Sequence, residues 1–438
     1  MPAANSKQAL LQRYFGYTAF REGQEPAIDA LLQGRDVLSI MPTGAGKSIC
    51  YQLPALCLPG MALVVSPLIS LMRDQVEGLR QVGIAAGCLN SSLEDRDYRD
   101  TCREAAAGRC VLLYVAPERL LSPGFAAMAQ DLSISLVAVD EAHCVSQWGQ
   151  DFRPSYTRIR DFVDALPHRP PVGAFTATAT PQVREDIREK LGLRDPFLQV
   201  TGFDRKNLFF EVRQPTSKRT ALFEFIQQHK DQSGIVYCST RKTVEEVHAF
   251  LTKRDIAAAR YHAGLSPEER AAGQDAFLQG AVPVMVATNA FGMGIDKPDV
   301  RYVLHYNMPK DLESYYQEAG RAGRDGDSAH CLLLYGSGDV QTDQFLIRLR
   351  DESVDSSDAA YQARVARDEA RLRRITAYCH TAGCLRHELL DYFGETSPTQ
   401  CGHCGSCLGD SLDITIDAQK ILSCVKRTGE RFGAGMIA

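Results

Sequence analysis

Short apolar runs rich in β-branched residues alternate with longer amphipathic stretches from about Asp36 to Tyr335. In the first half, DVLSIMP (36–42), MALVVSP (61–67), VLLYVAP (111–117), LVAVDEAH (136–143) and VGAFTATAT (172–180) read as strands. After a break the pattern resumes with SGIVYCS (233–239), VPVMVAT (282–288), RYVLHYN (301–307) and HCLLLYG (330–336). Near-continuous apolar strands separated by helix-length segments predict parallel sheets covered by helices on both faces. Two such series predict two doubly wound α/β domains.

The break spans residues 195–215, a mixed, polar stretch punctuated by Pro196, Gly202 and Pro215, and reads as the domain boundary. After Tyr335 the strand signal stops. Helices are predicted from Asp339 to Tyr392, interrupted by DESVDSSD (351–358), before the cysteine-rich run CGHCGSC (401–407). The segment DAQKILSCVKRTGERFGAG then opens another helix. The expected units are 1–200, 201–338, 339–411 and 412–438, the last being the onset of a further domain, so the chain reads as a fragment.

At 438 residues the chain has room for about three domains. Its 45% hydrophobic and 24% charged residues exclude a disordered or collagen-like protein. No apolar run approaches the ~20 residues of a membrane span, and MPAANSKQALLQRYFGY lacks the apolar core of a signal peptide. The expectation is a cytoplasmic protein without a membrane partner. Net charge is −5, from 49 basic and 54 acidic residues, so any nucleic-acid surface must be a local patch. Of 14 cysteines, Cys57, Cys88, Cys110 and Cys238 lie singly in apolar runs and read as small buried hydrophobes.

Candidate chemistry begins at MPTGAGKS (41–48), which follows a strand and opens a helix, the context of a phosphate-binding loop. Gly44 and Gly46, with Thr43 beside them, let backbone N–H groups curl around phosphate oxygens at a helix N-terminus. Lys47 is expected on the β/γ-phosphates and the Ser48 hydroxyl on Mg²⁺. The leading glycine of the general pattern is replaced by Met41. Farther on, LVAVDEAH sets two carboxylates at the C-terminal end of a strand, where open α/β sheets bind ligands. Asp140 is the expected second Mg²⁺ ligand, and Glu141 the base for the attacking water. Upstream, Tyr17, Arg21 and Gln24 of FGYTAFREGQ (15–24) suit an adenine, with an amide for its edge and an aromatic or guanidinium face for stacking. These features predict an NTPase.

C-x₂-C-x₂-C at Cys401, Cys404 and Cys407 reads as metal-binding by spacing. The fourth ligand stays open among Cys379, His380, Cys384 and His403 on spacing alone. Four thiolates indicate closed tetrahedral Zn²⁺, with an Fe–S cluster the lesser alternative.

Phosphate loop, DEAH and TAT, followed by a second α/β domain, resemble the superfamily two helicases. The match narrows to the RecQ helicases through FGYTAFREGQ, SPLISLMRDQ (66–75), APERL (116–120), DEAHCVSQWGQDFRPSY (140–156), FTATAT (175–180), YHAGL (261–265), ATNAFGMGIDKPDVRYVLHYNMP (287–309) and SYYQEAGRAGRDG (314–326). The resemblance covers residues 7–438, is greatest to the bacterial members, and selects Cys384 as the fourth zinc ligand. It implies two RecA-like domains, a helical zinc-binding module and the start of a winged helix. It also implies an ATP-dependent DNA helicase that moves 3′ to 5′ on single-stranded DNA and acts in recombination and repair. Single-stranded and partially duplex DNA, a single-strand-binding protein, a monomeric state and a place at the bacterial nucleoid are the accompanying expectations.

Carried over by position, the resemblance has His143, Thr176 and Thr178 link nucleotide state to DNA-binding elements, and puts Gln317, Arg321 and Arg324 at the ATP cleft. Arg324 is the preferred arginine finger, with Arg321 supporting the nucleotide or Glu141. Sequence-independent DNA contacts are expected from loops at strand ends: Ser66-Pro67 with Arg73, Pro117-Glu118, Thr240-Arg241 and Thr288-Asn289. In SQWGQDFRPSY (146–156), Trp148, Phe152, Arg153 and Tyr156 are expected to meet unpaired bases and report DNA to the ATP site. An RNA helicase and a non-catalytic DNA-binding scaffold are the competing readings.

Overall fold

All nine predicted runs form strands in the computed structural model, which describes residues 6–90, 93–149, 151–292, 297–349, 359–409 and 415–429. The first sheet holds β1 (Val37–Ile40), β2 (Met61–Val65), β3 (Ala86–Leu89), β4 (Leu112–Val115), β5 (Ile134–Val139), β6 (Val172–Thr176) and β7 (Phe197–Val200). The second holds β8 (Leu208–Arg213), β9 (Ser233–Tyr237), β10 (Ala258–Tyr261), β11 (Val284–Ala287), β12 (Val300–His305) and β13 (Ala329–Leu334). Their orders are β3-β4-β2-β5-β6-β1-β7 and β10-β11-β9-β12-β13-β8, with parallel pairing throughout, as in β1 against β6 and β9 against β12.

Strand alternation divides each core between two sheet faces. In β2, Leu63 and Val65 pack with Phe125 and Phe162, while Ala62 and Val64 pack with Tyr51 and Tyr114 on the other side. Helices therefore cover both faces, and the C-terminal ends of the central strands stay open for a ligand.

β3, β7, β8 and β10 were not expected, and each is an edge strand. An edge strand has one neighbour and more solvent, so it lacks a continuous apolar signature. Along β7, half-buried and exposed residues alternate. The polar stretch 195–215 is thus corrected: it carries β7 and β8, and the crossing itself is confined to 201–207.

After β13 come helices Ser337–Leu349, Ala359–His380 and Leu385–Tyr392. They join both domains. Leu372, Tyr378 and Leu389 share a core with Phe210 and Tyr315 of the second domain, whereas Leu390 and Phe393 share one with Phe203 and first-domain residues. Of the expected winged-helix onset, helix Thr415–Arg427 is described, and 412–414 and 430–438 lie outside the described residues, as do 351–358 and the GMGID positions 293–296. Cys110 and Cys238 are buried, but Cys57 is exposed and Cys88 half-buried, correcting that reading. Among the described residues no helix is long and apolar enough to cross a membrane.

Candidate functional site

β1 delivers the chain into the 41–48 loop, and helix Ile49–Cys57 leaves it. Gly44 and Gly46 have φ of 86° and 81°, a conformation that costs a residue with a Cβ. Space demands glycine as well: a Cβ on Gly46 would lie 2.5 Å from Gln24 Nε2, and one on Gly44 would lie 3.3 Å from Arg324 Cγ. Gln24 is buried, donates to the Ala45 and Gly46 carbonyls at 3.2 and 3.1 Å, and accepts from the Arg21 N–H at 2.9 Å. In this arrangement its amide holds the loop. Arg21 donates to the Gly44 carbonyl and lies 5.7 Å from the centre of the exposed Tyr17 ring.

Lys47 Nζ donates to the Met41 carbonyl at 3.2 Å. Burial pushes its pKa down, opposed by the carboxylates of Glu141 and Asp140. Asp140 sits just past β5 with its side chain buried, and burial followed by the Glu141 charge pushes its pKa up. Glu141 adopts φ 47°, left-handed backbone that a side chain seldom takes. The twist brings its buried Oε2 3.3 Å from His143 Nδ1, an approach without a hydrogen bond, so this oxygen keeps its accepting capacity. An unsatisfied carboxylate oxygen beside a lysine and a glycine cradle fits an acceptor for a water attacking a bound phosphate. His143 Nδ1 is also 2.8 Å from Thr176 Oγ1, which donates to the Thr178 carbonyl at 3.1 Å.

Across the cleft, Arg324 lies over the phosphate loop, close enough for its charge to depress Lys47. Arg321 turns the other way: it is buried within the second domain and donates to the Gly292 carbonyl. Gln317 is half-buried in helix Leu312–Ala319. Ser48 precedes helix Ile49–Cys57, and the Thr43 carbonyl accepts from Arg205, a linker residue that no motif flagged.

The segment after DEAH folds back on it. A Cβ on Gly149 would lie 2.3 Å from the His143 carbonyl oxygen, so the turn can approach only as glycine. Ser146 Oγ donates to Asp186 at 2.7 Å and accepts from the Trp148 N–H at 3.0 Å. Trp148 is 48% exposed, with the Arg367 guanidinium 5.7 Å from its ring. Arg371 donates to the Gln147 and Gly149 carbonyls at 3.3 and 2.8 Å. The helix Ala359–His380 thereby grips the loop, a contact that spacing could not reveal. Arg153 pairs with Asp151 and donates to the Pro67 carbonyl at 2.8 Å. Tyr156 is a correction: fully buried, it donates to the Asp140 carbonyl at 3.0 Å and is not available to a base.

The remaining loop residues divide. Arg73, Glu118, Arg241 and Asn289 are exposed, whereas Ser66, Pro117 and Thr288 are buried. Thr240 caps helix Arg241–Thr252 by accepting from the Thr243 N–H at 3.1 Å. A cavity of about 680 Å³ separates Phe152 from Asn289, with Lys310, Arg364 and Arg367 along its walls.

Cys384, Cys401, Cys404 and Cys407 bring their Sγ atoms within 4.8 Å of one another, with Cys384 and Cys404 at 3.9 Å. Four sulfurs at about 2.3 Å around one Zn²⁺ would stand about 3.8 Å apart, so the cluster fits a tetrahedral zinc. Cys384 accepts from the His387 N–H and Cys401 from the His403 N–H, contacts that orient the two sulfurs. The other candidates, Cys379, His380 and His403, stand outside this cluster, with His380 against Tyr335 and His403 against Phe209.

Family models match in series along the chain: DEAD/DEAH box helicase over 21–187, helicase conserved C-terminal domain over 217–326, RecQ zinc-binding over 337–408 and RQC domain over 409–438. The ATP-dependent DNA helicase RecQ of Bacillus subtilis is 44% identical, covering 98% of this chain and 72% of that protein. Its counterpart from Pasteurella multocida is 42% identical, covering 99% and 67%. Among solved structures, Dbp5 of S. cerevisiae bound to RNA and ADP BeF3 aligns with a TM-score of 0.62 at 20% identity, covering 84% of this chain and 97% of that one. Lhr of Mycobacterium smegmatis bound to ssDNA and AMP-PNP aligns at 0.60 and 20% identity, covering 84% and 57%. These structural likenesses concern the fold alone.

Proposed function

The chain belongs to the RecQ helicase family, and from that premise we propose how it works as an ATP-dependent DNA helicase. ATP lies on the Thr43–Ser48 loop, with Tyr17, Arg21 and Gln24 at the adenine and Lys47 on the terminal phosphates. Glu141 takes the proton of the attacking water, and Arg324 stabilises charge as it develops on the transferred phosphoryl group. Mg²⁺, held through Ser48 and Asp140, supplies charge neutralisation when bound. Zinc on the four cysteines is structural, and the domain limits are 1–200, 201–338, 339–411 and 412–438.

The observation that carries this reading is Arg324 of the second domain lying over Gly44 of the first, with the unsatisfied oxygen of Glu141 in the same cleft. A cleft shared by two domains makes hydrolysis depend on their closure, the coupling a translocase needs. Single-stranded DNA runs past Trp148, Phe152 and Arg153 and the exposed Arg73, Arg241 and Asn289, with Thr240 and Thr288 offering backbone groups at their strand ends. The buried hydroxyl of Ser66 leaves that loop its backbone alone. Travel is 3′ to 5′, the protein acts as a monomer in the bacterial cytoplasm at the nucleoid, and single-strand-binding protein is its companion on DNA during recombination and repair.

ATP hydrolysis with and without single-stranded DNA tests the reading, followed by unwinding of 3′-tailed and 5′-tailed DNA beside matched RNA duplexes. DNA-stimulated hydrolysis with unwinding of 3′-tailed DNA is expected. Hydrolysis indifferent to DNA, or preferential unwinding of RNA, would overturn it.

A further inference from the structure

Arg205 lies in the crossing between β7 and β8, outside every motif assigned a role above. Its guanidinium is met almost entirely by backbone carbonyls. Nη1 donates to the Thr43 oxygen at 3.0 Å and the Gly320 oxygen at 3.3 Å, and Nη2 to the Ala322 and Gly323 oxygens at 3.0 and 2.8 Å. Nε reaches Asn207 Oδ1 at 3.4 Å. Thr43 belongs to the phosphate loop of the first domain. Gly320, Ala322 and Gly323 belong to the turn of the second domain that ends in Arg324. One planar fork therefore joins the two halves of the ATP cleft.

The position of Gly323 makes the contact specific. Its carbonyl forms the peptide bond to Arg324, and it is held twice, by Arg205 and by Asn207 Nδ2 at 2.9 Å. Gly323 has φ 55°, and its N–H donates to the Val300 carbonyl at 2.9 Å. The two peptide units flanking Gly323 are thus both held, the one leading to Arg324 through its carbonyl, and Arg205 ties that carbonyl to the Thr43 carbonyl. Arg205 is itself anchored from the zinc module: Arg386, two residues past Cys384, donates to the Asp204 carboxylate and to the Arg205 and Leu208 carbonyls.

We propose that Arg205 is a positioning residue for hydrolysis, locking the Gly320–Gly323 turn to the phosphate loop so that Arg324 meets the transferred phosphoryl group. The proposal rests on Arg324 as the arginine finger. The Arg205 guanidinium is engaged by four backbone carbonyls and Asn207, so its loss should leave ATP binding near normal and remove alignment needed only in the transition state. A misplacement of about 1 Å costs roughly 10²-fold in rate. Lysine cannot substitute, since an ammonium is a point donor and this site uses a planar fork.

The test measures kcat and KM for DNA-stimulated ATP hydrolysis in Arg205→Gln, Arg324→Ala and the double variant, with melting curves and zinc content for each. Arg205→Gln should lower kcat about 10²-fold with KM for ATP little changed and melting near the parent value. The double variant should be no slower than Arg324→Ala, because Arg205 acts only through that side chain. If Arg205→Gln does not fold, Arg205→Lys carries the same expectation. Normal kcat in a folded Arg205 variant overturns the proposal, as does a double variant much slower than Arg324→Ala. A fall in melting temperature with KM and kcat shifting together also overturns it, by marking a merely structural role. Normal turnover in Arg324→Ala overturns instead the arginine-finger assignment beneath it.

Discussion

His143 Nδ1 lies 2.8 Å from Thr176 Oγ1, joining the last residue of DEAH to the first threonine of TATAT. Thr176 Oγ1 donates onward to the Thr178 carbonyl at 3.1 Å, so the imidazole and the strand-end loop share one hydroxyl. The same nitrogen is 3.3 Å from the Glu141 carboxylate. A ring that contacts both the candidate base and the strand-end loop is placed to feel any movement between them.

From this follows the first prediction. Glu141→Gln removes the proton acceptor while leaving Asp140 and Lys47 intact. Turnover should fall about 10²–10⁴-fold with nucleotide affinity retained. Lys47→Ala should lose affinity and turnover together. Fluorescent-nucleotide titration beside steady-state hydrolysis separates the two, and normal turnover in Glu141→Gln would remove Glu141 from its role.

The zinc prediction concerns both folding and the ATP cleft. The binding energy of a structural metal contributes to folding, so Cys404→Ser should lose zinc and expose the segment after Ser337 to protease. The two sheets should persist, because each has its own core. Hydrolysis should fall as well, since Arg386, which follows Cys384, anchors the Asp204–Leu208 crossing. Metal analysis, limited proteolysis and ATPase rates check the three parts, and an unchanged zinc content in Cys404→Ser would defeat the ligand assignment.

A third prediction is a pH dependence of stability. Asp343 is buried in helix Ser337–Leu349 with Oδ2 unpartnered. Burial, then the nearby Asp339 and Asp311, push its pKa up to about 7, against the opposing charge of Lys218. The unfolded chain releases this proton near about 4, while the folded chain keeps it until about 7. Its contribution is therefore full below about 4 and declines as pH rises towards about 7, then stays flat. Asp343→Asn should remove that decline, melting higher than the parent at pH 8 and close to it at pH 4. Melting curves across this range decide, and parallel curves for parent and variant would refute it.

The parts legible in sequence are those with a local signature. Central strands such as MALVV and LVAVDE are buried on both faces and announce themselves as apolar runs. The edge strand FLQV does not, because half-buried and exposed residues alternate along it. Lys47, Asp140 and Glu141 stand out because loop and strand-end chemistry are written in contiguous residues. Arg205, Arg371 and Arg386 do not, because the backbone carbonyls they bind are brought close only by the tertiary fold. Tyr156 misled for a related reason: an aromatic in a polar run looks like a base-stacking ring, yet here the run turns inward and its hydroxyl is spent on Asp140.

The last prediction concerns coupling between DNA and ATP. Trp148 is exposed beside the Arg367 guanidinium, and the turn carrying it reaches the His143 carbonyl at Gly149. A base stacking on this ring can displace the turn, and through it DEAH, without touching phosphate. Trp148→Ala should therefore reduce the stimulation of hydrolysis by single-stranded DNA. One lost stacking contact costs ~1–3 kcal/mol, but phosphate contacts elsewhere keep much of the affinity. Arg371→Ala should disturb the same ratio from the opposite side, because it releases the Gln147 and Gly149 carbonyls from helix Ala359–His380. The alternative role, packing alone, makes a different forecast: a lower melting temperature with basal and stimulated rates falling in step. Measuring both rates with a melting curve for each variant separates the two. A destabilised Trp148→Ala with an unchanged stimulation ratio would remove the loop from the coupling path, because the ring would then be supporting the fold and not reading DNA.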